Sequence, residues 1–128
     1  MHNVISLTHA TDIDGVGSAA LIRIRYGIPL SNMFFTSYST EALSRVEKDI
    51  KKAIKEGTML IIADLAVNDS TLPYFARIIK FVKEKHGSIF WFDHHPWSKA
   101  AEKKLAHMCD IAIFGENSRY CGTEITRM

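Results

Sequence analysis

Long apolar runs are missing from this sequence. The longest are strand-sized, far short of the ~20 residues that a membrane span requires, so no membrane partner is expected. Cysteine is scarce: Cys109 and Cys121 are the two present. They show no CxxC spacing and no framework around them, which points to free thiols in a reducing cytoplasm. The opening Met1-His2-Asn3 lacks a basic stretch followed by an apolar one, so no secretory signal is expected and a cytoplasmic location follows. Charge of one sign is not in excess either. Sixteen Lys and Arg against 14 Asp and Glu leave a net charge of +2, which permits phosphate or nucleic acid as a partner without arguing for one. No repeat, low-complexity tract or linker interrupts the 128 residues, enough for one domain, 1–128, with a proper core.

What the chain does have is histidine, six of them, and two stand together in its most informative stretch, Phe90-Trp91-Phe92-Asp93-His94-His95-Pro96. A short apolar run ends abruptly in a carboxylate, two imidazoles and a proline. This is the pattern of a buried strand that releases metal-competent side chains at its carboxyl end. Pro96 lacks the N–H that a ladder needs and favours a turn there.

The remaining segments alternate between strand and helix. Residues 4–9 read as a first strand, followed by a loop with Asp12 and Asp14. A helix over 16–26 opens on small residues and closes at Gly27, before Pro29. A second strand is expected over 33–38. A helix capped by Ser39 or Thr40 then runs to Glu56, with Leu43, Val46, Ile50 and Ile54 along one face. A third strand over 59–64 is apolar almost throughout, as expected when both faces are covered. The next helix starts at Asp69 or Ser70 and continues to Lys85, with Phe75, Ile78, Ile79 and Val82 inward. Strand four covers 88–92, a short helix capped by Ser98 runs to about Met108, and strand five covers 111–114. No tight hairpin signal appears. The alternation predicts an α/β fold, a doubly wound parallel sheet of five strands with helices on both faces.

Parallel α/β sheets bind ligands at the carboxyl ends of their strands. His9, Asp12 and Asp14 follow the first strand, Asp64 ends the third, and Asp93, His94 and His95 follow the fourth, so seven potential metal ligands are expected at one edge. A single Asp after a strand is ordinarily a turn former, and a single His a satisfied core imidazole. Asp93-His94-His95 together is harder to explain that way. Carboxylates at this density need a compensating cation. The mixture of carboxylate and imidazole suits Mn²⁺, Fe²⁺, Co²⁺ or Zn²⁺ better than Ca²⁺ or Mg²⁺ alone. Enough ligands are present for two ions, which about 3.5–4 Å apart can clamp a phosphoryl oxygen and activate a bridging water. Phospho-acceptor receiver domains share the doubly wound fold and acidic pocket, but they need a lysine after the fifth strand, where this chain has Gly115-Glu116-Asn117-Ser118-Arg119. His2, His86 and His107 read as surface residues.

In these residues the chain resembles the DHH phosphoesterase superfamily, which includes RecJ-type exonucleases, nano-RNases, cyclic-dinucleotide phosphodiesterases and family II pyrophosphatases. Thr8-His9-Ala10-Thr11-Asp12-Ile13-Asp14-Gly15-Val16-Gly17-Ser18-Ala19 is similar to its first motif, Ile61-Ile62-Ala63-Asp64 to its second and Asp93-His94-His95 to its namesake third. The resemblance implies two Mn²⁺ ions, with Mg²⁺ or Co²⁺ as other possibilities. His9 and Asp12 would hold one ion, Asp14 and His94 the other, and Asp64 would bridge them. His95 would face the substrate phosphate, and Asp93 would be a further ligand or orient the imidazoles. Arg119 is a candidate phosphate contact.

The resemblance thus implies a metal-dependent phosphoesterase, a hydrolase of the exonuclease or phosphodiesterase type, acting on single-stranded nucleic acid or oligonucleotides. Inorganic pyrophosphate hydrolysis and a non-catalytic metal-binding or regulatory module are the alternatives. The spacing from His9 to Asp12 is one residue shorter than in many members, and the family's fourth motif and substrate-binding domain have no counterpart here. The chain is therefore expected to correspond to the amino-terminal half of a longer protein.

Overall fold

The computed structural model of the chain describes residues 3–9, 25, 27–93, 98–105 and 108–113, with 111–113 described by backbone alone. Its strands are β1 (Val4–His9), β2 (Met33–Thr36), β3 (Met59–Ala63), β4 (Ser88–Phe92) and β5 (Ile111–Ile113). Three helices of two turns or more lie among the described residues: α1 (Thr40–Ala53), α2 (Leu72–Glu84) and α3 (Lys99–Leu105). The architecture is α/β. Four strands in the order β2-β1-β3-β4 form the body of a parallel sheet, and the three residues of β5 pair beside β4.

Alternation along the strands divides the core in two. Ile5 and Leu7 of β1, Leu60 and Ile62 of β3, and Ile89 and Trp91 of β4 face one way. They meet Leu43, Val46 and Ile50 of α1, Phe75, Ile78, Ile79 and Val82 of α2, and Ala101 and Leu105 of α3. Removing each large apolar side chain from water stabilises the fold by about 1.5–3 kcal/mol. All three helices therefore pack on this one face. The opposite face carries Ile61, Ala63, Phe90 and Phe92, with Ile28 packed against them from the connection that precedes β2. Of the helix expected over 16–26 only Arg25 is described, and it is helical. Gly27 has φ +64°, the left-handed conformation that closes helices and that glycine adopts without strain.

Several boundaries differ from the sequence expectation. The helix expected to reach Glu56 stops at Ala53, because Asn3 donates from Nδ2 to the Ala53 carbonyl (3.0 Å) and Thr58 Oγ1 accepts the Lys55 N–H (2.8 Å). These side chains satisfy backbone groups that another helical turn would otherwise use. The next helix starts at Leu72 rather than at Asp69 or Ser70. Asn68 Oδ1 accepts the N–H groups of Ser70 and Thr71, both at 3.0 Å, while Thr71 Oγ1 accepts the Asn68 N–H at 3.0 Å. This reciprocal turn holds 68–71 outside the helix. β2 ends at Thr36 rather than 38, and α3 is described as far as Leu105.

The amino edge of the sheet is closed by polar contacts. Asn3 Nδ2 also donates to Thr58 Oγ1 (2.9 Å), and Asn32 Nδ2 donates to Asn3 Oδ1 (3.0 Å) and to the Val4 carbonyl (3.1 Å). Asp110 Oδ2 accepts from the Ile89 N–H (2.7 Å) and from Lys83 Nζ (2.8 Å). The Lys83 ammonium and the Ile89 amide hold the Asp110 carboxyl below its usual range. Asp110 thus lies at the opposite end of the sheet from the expected ligands. His86 sits in the turn after α2, where its exposed ring pairs with Glu56.

Candidate functional site at the carboxyl edge

The parallel register brings three of the expected ligands into one row. Thr8 pairs with Ala63, and Ala63 with Phe92. One residue past these pairs stand His9, Asp64 and Asp93, at the carboxyl ends of the neighbouring strands β1, β3 and β4. Strands lie about 4.8 Å apart, so the row spans about 10 Å. Asp64 and Asp93 have no exposed surface and His9 keeps 8 % of its own. Two carboxylates buried side by side are costly unless positive charge or hydrogen-bond donors compensate them.

The strand order places the row at a particular point. From β1 the chain crosses to β2 on one side of it. The next crossing returns over β1 to β3, and all later strands add on that far side. The order of strand addition therefore reverses between β1 and β3, the kind of point at which open parallel sheets bind ligands. His9 and Asp64 stand at the carboxyl ends of this pair.

Asp64 turns the chain out of the sheet. Its φ is +59°, a left-handed conformation uncommon outside glycine and most readily tolerated by Asp and Asn. Its N–H still donates to the Phe92 carbonyl at 2.9 Å, so the ladder to β4 continues one step past β3 while the backbone bends. The residues that follow are pinned in turn. Trp91, buried in β4 with its ring edge-on to Phe75, donates from Nε1 to the Leu65 carbonyl at 2.9 Å. The Ser98 N–H donates to the Val67 carbonyl at 3.1 Å, tying the chain before α3 to the same loop. A buried indole N–H needs an acceptor, and here it finds one in the backbone next to Asp64.

Tyr38 completes the arrangement and is absent from the ligand set read from the sequence. Its ring lies 5.0 Å from the His9 ring, centroid to centroid, at 37°. Its hydroxyl oxygen accepts the Ala66 N–H at 3.0 Å. A tyrosine two residues beyond a strand that pairs with β1 is the only sequence signal for it, and that is a common occurrence.

Of the remaining expected site residues, Asp12, Asp14, His94, His95 and Arg119 lie outside the described residues. Among the described residues no three His, Cys, Asp or Glu side chains converge closely enough to hold an ion by themselves. His9, Asp64 and Asp93 supply one donor per strand end, an imidazole and two buried carboxylates. That donor chemistry fits a divalent transition ion of the Mn²⁺ kind, with further ligands needed to close its shell. The Cys109 thiol stands apart from this edge. Burial pushes its pKa up to about 11, and Sγ contacts the Leu105 carbonyl at 3.5 Å, so it is a protonated packing group.

No described helix is long and apolar enough to cross a membrane. No family model matches the chain, and no curated protein matches it. A crystal structure of an uncharacterized protein from Helicobacter pylori G27 aligns with 98 % of this chain at a TM-score of 0.62 and 22 % sequence identity. The aligned part makes up 35 % of that protein's chain, so the present chain spans about a third of its length. At this identity the likeness shows a shared fold.

Proposed function

We propose that the chain is the metal-binding catalytic domain of a DHH-type phosphoesterase, hydrolysing phosphodiester bonds in short single-stranded nucleic acid. The observation that carries this reading is the row of His9, Asp64 and Asp93 across three adjacent parallel strands, with both carboxylates buried and His9 and Asp64 at the ends of the pair where strand addition reverses. The full fold in this reading is a doubly wound five-stranded sheet. A right-handed crossover from β1 to β2 would lie on the face opposite to α1, α2 and α3, and Ile28 on that face supports this reading.

Asp64, at the centre of the row, has neighbours on both sides, which suits a bridging carboxylate. His9 and Asp93 would be terminal ligands of the two ions, joined by Asp12, Asp14 and His94, and His95 and Arg119 would contact the substrate phosphate. Bound Mn²⁺ would supply an activated water and a clamp on the phosphoryl oxygens. The chain's own part is to hold its donors rigidly. The bent backbone at Asp64, the Trp91 anchor and the Ser98 anchor fix the β3 end so that little reorganisation is left for the reaction.

The test is a side-by-side assay of the purified chain in Mn²⁺ on a labelled dinucleotide and on pyrophosphate. Preferential cleavage of the dinucleotide, lost on chelation, is the expected result. Preference for pyrophosphate would move the substrate within the same chemistry. Metal binding without any hydrolysis, by this chain and by a longer protein containing it alike, would instead favour a non-catalytic module.

A further inference from the structure

We infer that Tyr38 is a positioning residue of the candidate site, orienting the His9 imidazole with its ring and the loop after Asp64 with its hydroxyl. What the strut serves rests on the phosphoesterase reading; the contacts themselves do not. Thr36 pairs with His9 at the end of β2, and Tyr38 follows two residues later. From there its ring meets the imidazole at a centroid separation of 5.0 Å, within the favourable range for ring pairs. On the same side chain, the hydroxyl oxygen takes the Ala66 N–H at 3.0 Å. One residue thus joins the ends of β1 and β3, the pair at which the order of strand addition reverses.

The loop after β3 is held from both sides as a result. Trp91 from β4 takes the Leu65 carbonyl and Tyr38 from the β2 side takes the Ala66 N–H, so adjacent residues are anchored in opposite directions just beyond Asp64. Tyr38 is 39 % exposed, which limits how much it contributes by filling the core. A group that fixes the orientation of a ligating imidazole commonly changes metal affinity by about 10–100-fold.

The experiment compares wild type, Tyr38→Phe and Tyr38→Leu by NMR of the metal-free chain and by calorimetric titration with Mn²⁺. Tyr38→Phe keeps the ring: the His9 ring-proton shifts should stay near wild type, the Ala66 amide should move, and the affinity should remain within about threefold. Tyr38→Leu should move both sets of signals and weaken Mn²⁺ binding about tenfold or more. In a His9→Ala background the same substitution should cost no further affinity through the ring, because its partner is already gone. Unchanged His9 signals in Tyr38→Leu would overturn the inference. So would equal losses in the Phe and Leu variants, which mark a merely structural role. If wild type binds no Mn²⁺, the phosphoesterase reading fails, and the His9 and Ala66 signals still decide whether Tyr38 positions them.

Discussion

At the scale of single residues, Asp64 concentrates the most unusual features. It is fully buried, has a left-handed backbone and ends the central strand of the site. Asp64→Asn keeps the shape and removes the charge. It should cost at least ~100-fold in hydrolysis with little change in thermal midpoint, as measured by parallel turnover and melting experiments. Turnover near wild type would exclude a bridging role.

Cys109 permits a prediction independent of function. With the thiol raised to about 11, roughly one molecule in 10³ carries the thiolate at pH 8, so labelling of Cys109, read in a Cys121→Ser background, should be slow until the chain unfolds. The linkage has a definite sign. The unfolded thiol ionises from its ordinary value of 9.0, so stability is intact below pH 9 and declines as the pH rises towards 11. A Cys109→Ala variant should lack that part of the alkaline decline in denaturant titrations.

At the scale of elements, strands and helices are legible in the sequence because their apolar periodicities are strong. Leu43, Val46, Ile50 and Ile54 are all buried, as their spacing implies, and so are Phe75, Ile78, Ile79 and Val82. The ends are less legible because they depend on contacts from distant parts of the chain. Ala53 ends α1 through Asn3, 50 residues away, and no local pattern contains that bond. The amino start of β4 is equally constrained. A Cβ on Gly87 would lie 2.3 Å from the Thr58 carbonyl oxygen and 2.6 Å from Val82 Cγ1. Gly87→Ala should therefore destabilise the fold by about 1–3 kcal/mol in chemical denaturation, through overpacking against backbone that cannot withdraw.

The two long helices are joined by Glu47, which accepts two hydrogen bonds from Arg77 (2.8 and 2.9 Å) and one from Lys51 (2.9 Å). The Arg77 hydrogen bonds, helped by Lys51, hold its carboxyl below the ordinary value of 4.5. Its contribution is thus present above pH 4.5 and is lost as the pH falls through the depressed value. With the Arg77 side chain about half exposed to solvent, it amounts to about 1 kcal/mol or less. Glu47→Gln should lower the melting temperature slightly at pH 7, and the difference should shrink as the pH falls below 4.5.

At the scale of the whole molecule, the candidate site depends on topology more than on any local sequence. His9, Asp64 and Asp93 lie 55 and 29 positions apart in the chain, and only the parallel register makes them neighbours. That alignment at one edge is legible once the strands are read as parallel, because the residues after parallel strands fall at the same end of the sheet. Tyr38 is not legible, since nothing near it in sequence distinguishes it from other tyrosines that follow strands. The two edges of the sheet also differ in kind. Asn3, Asn32, Thr58 and Asp110 close the amino edge with side-chain hydrogen bonds, whereas the carboxyl edge gathers an imidazole and two buried carboxylates.

The most direct measurement is calorimetric titration of the metal-stripped chain with Mn²⁺, with Asp64→Asn titrated alongside. The row of donors predicts saturable binding of one or two ions, weakened at least ~10-fold in the variant. No binding to the wild-type chain, or equal binding to both proteins, would contradict a metal site at the ends of β1, β3 and β4.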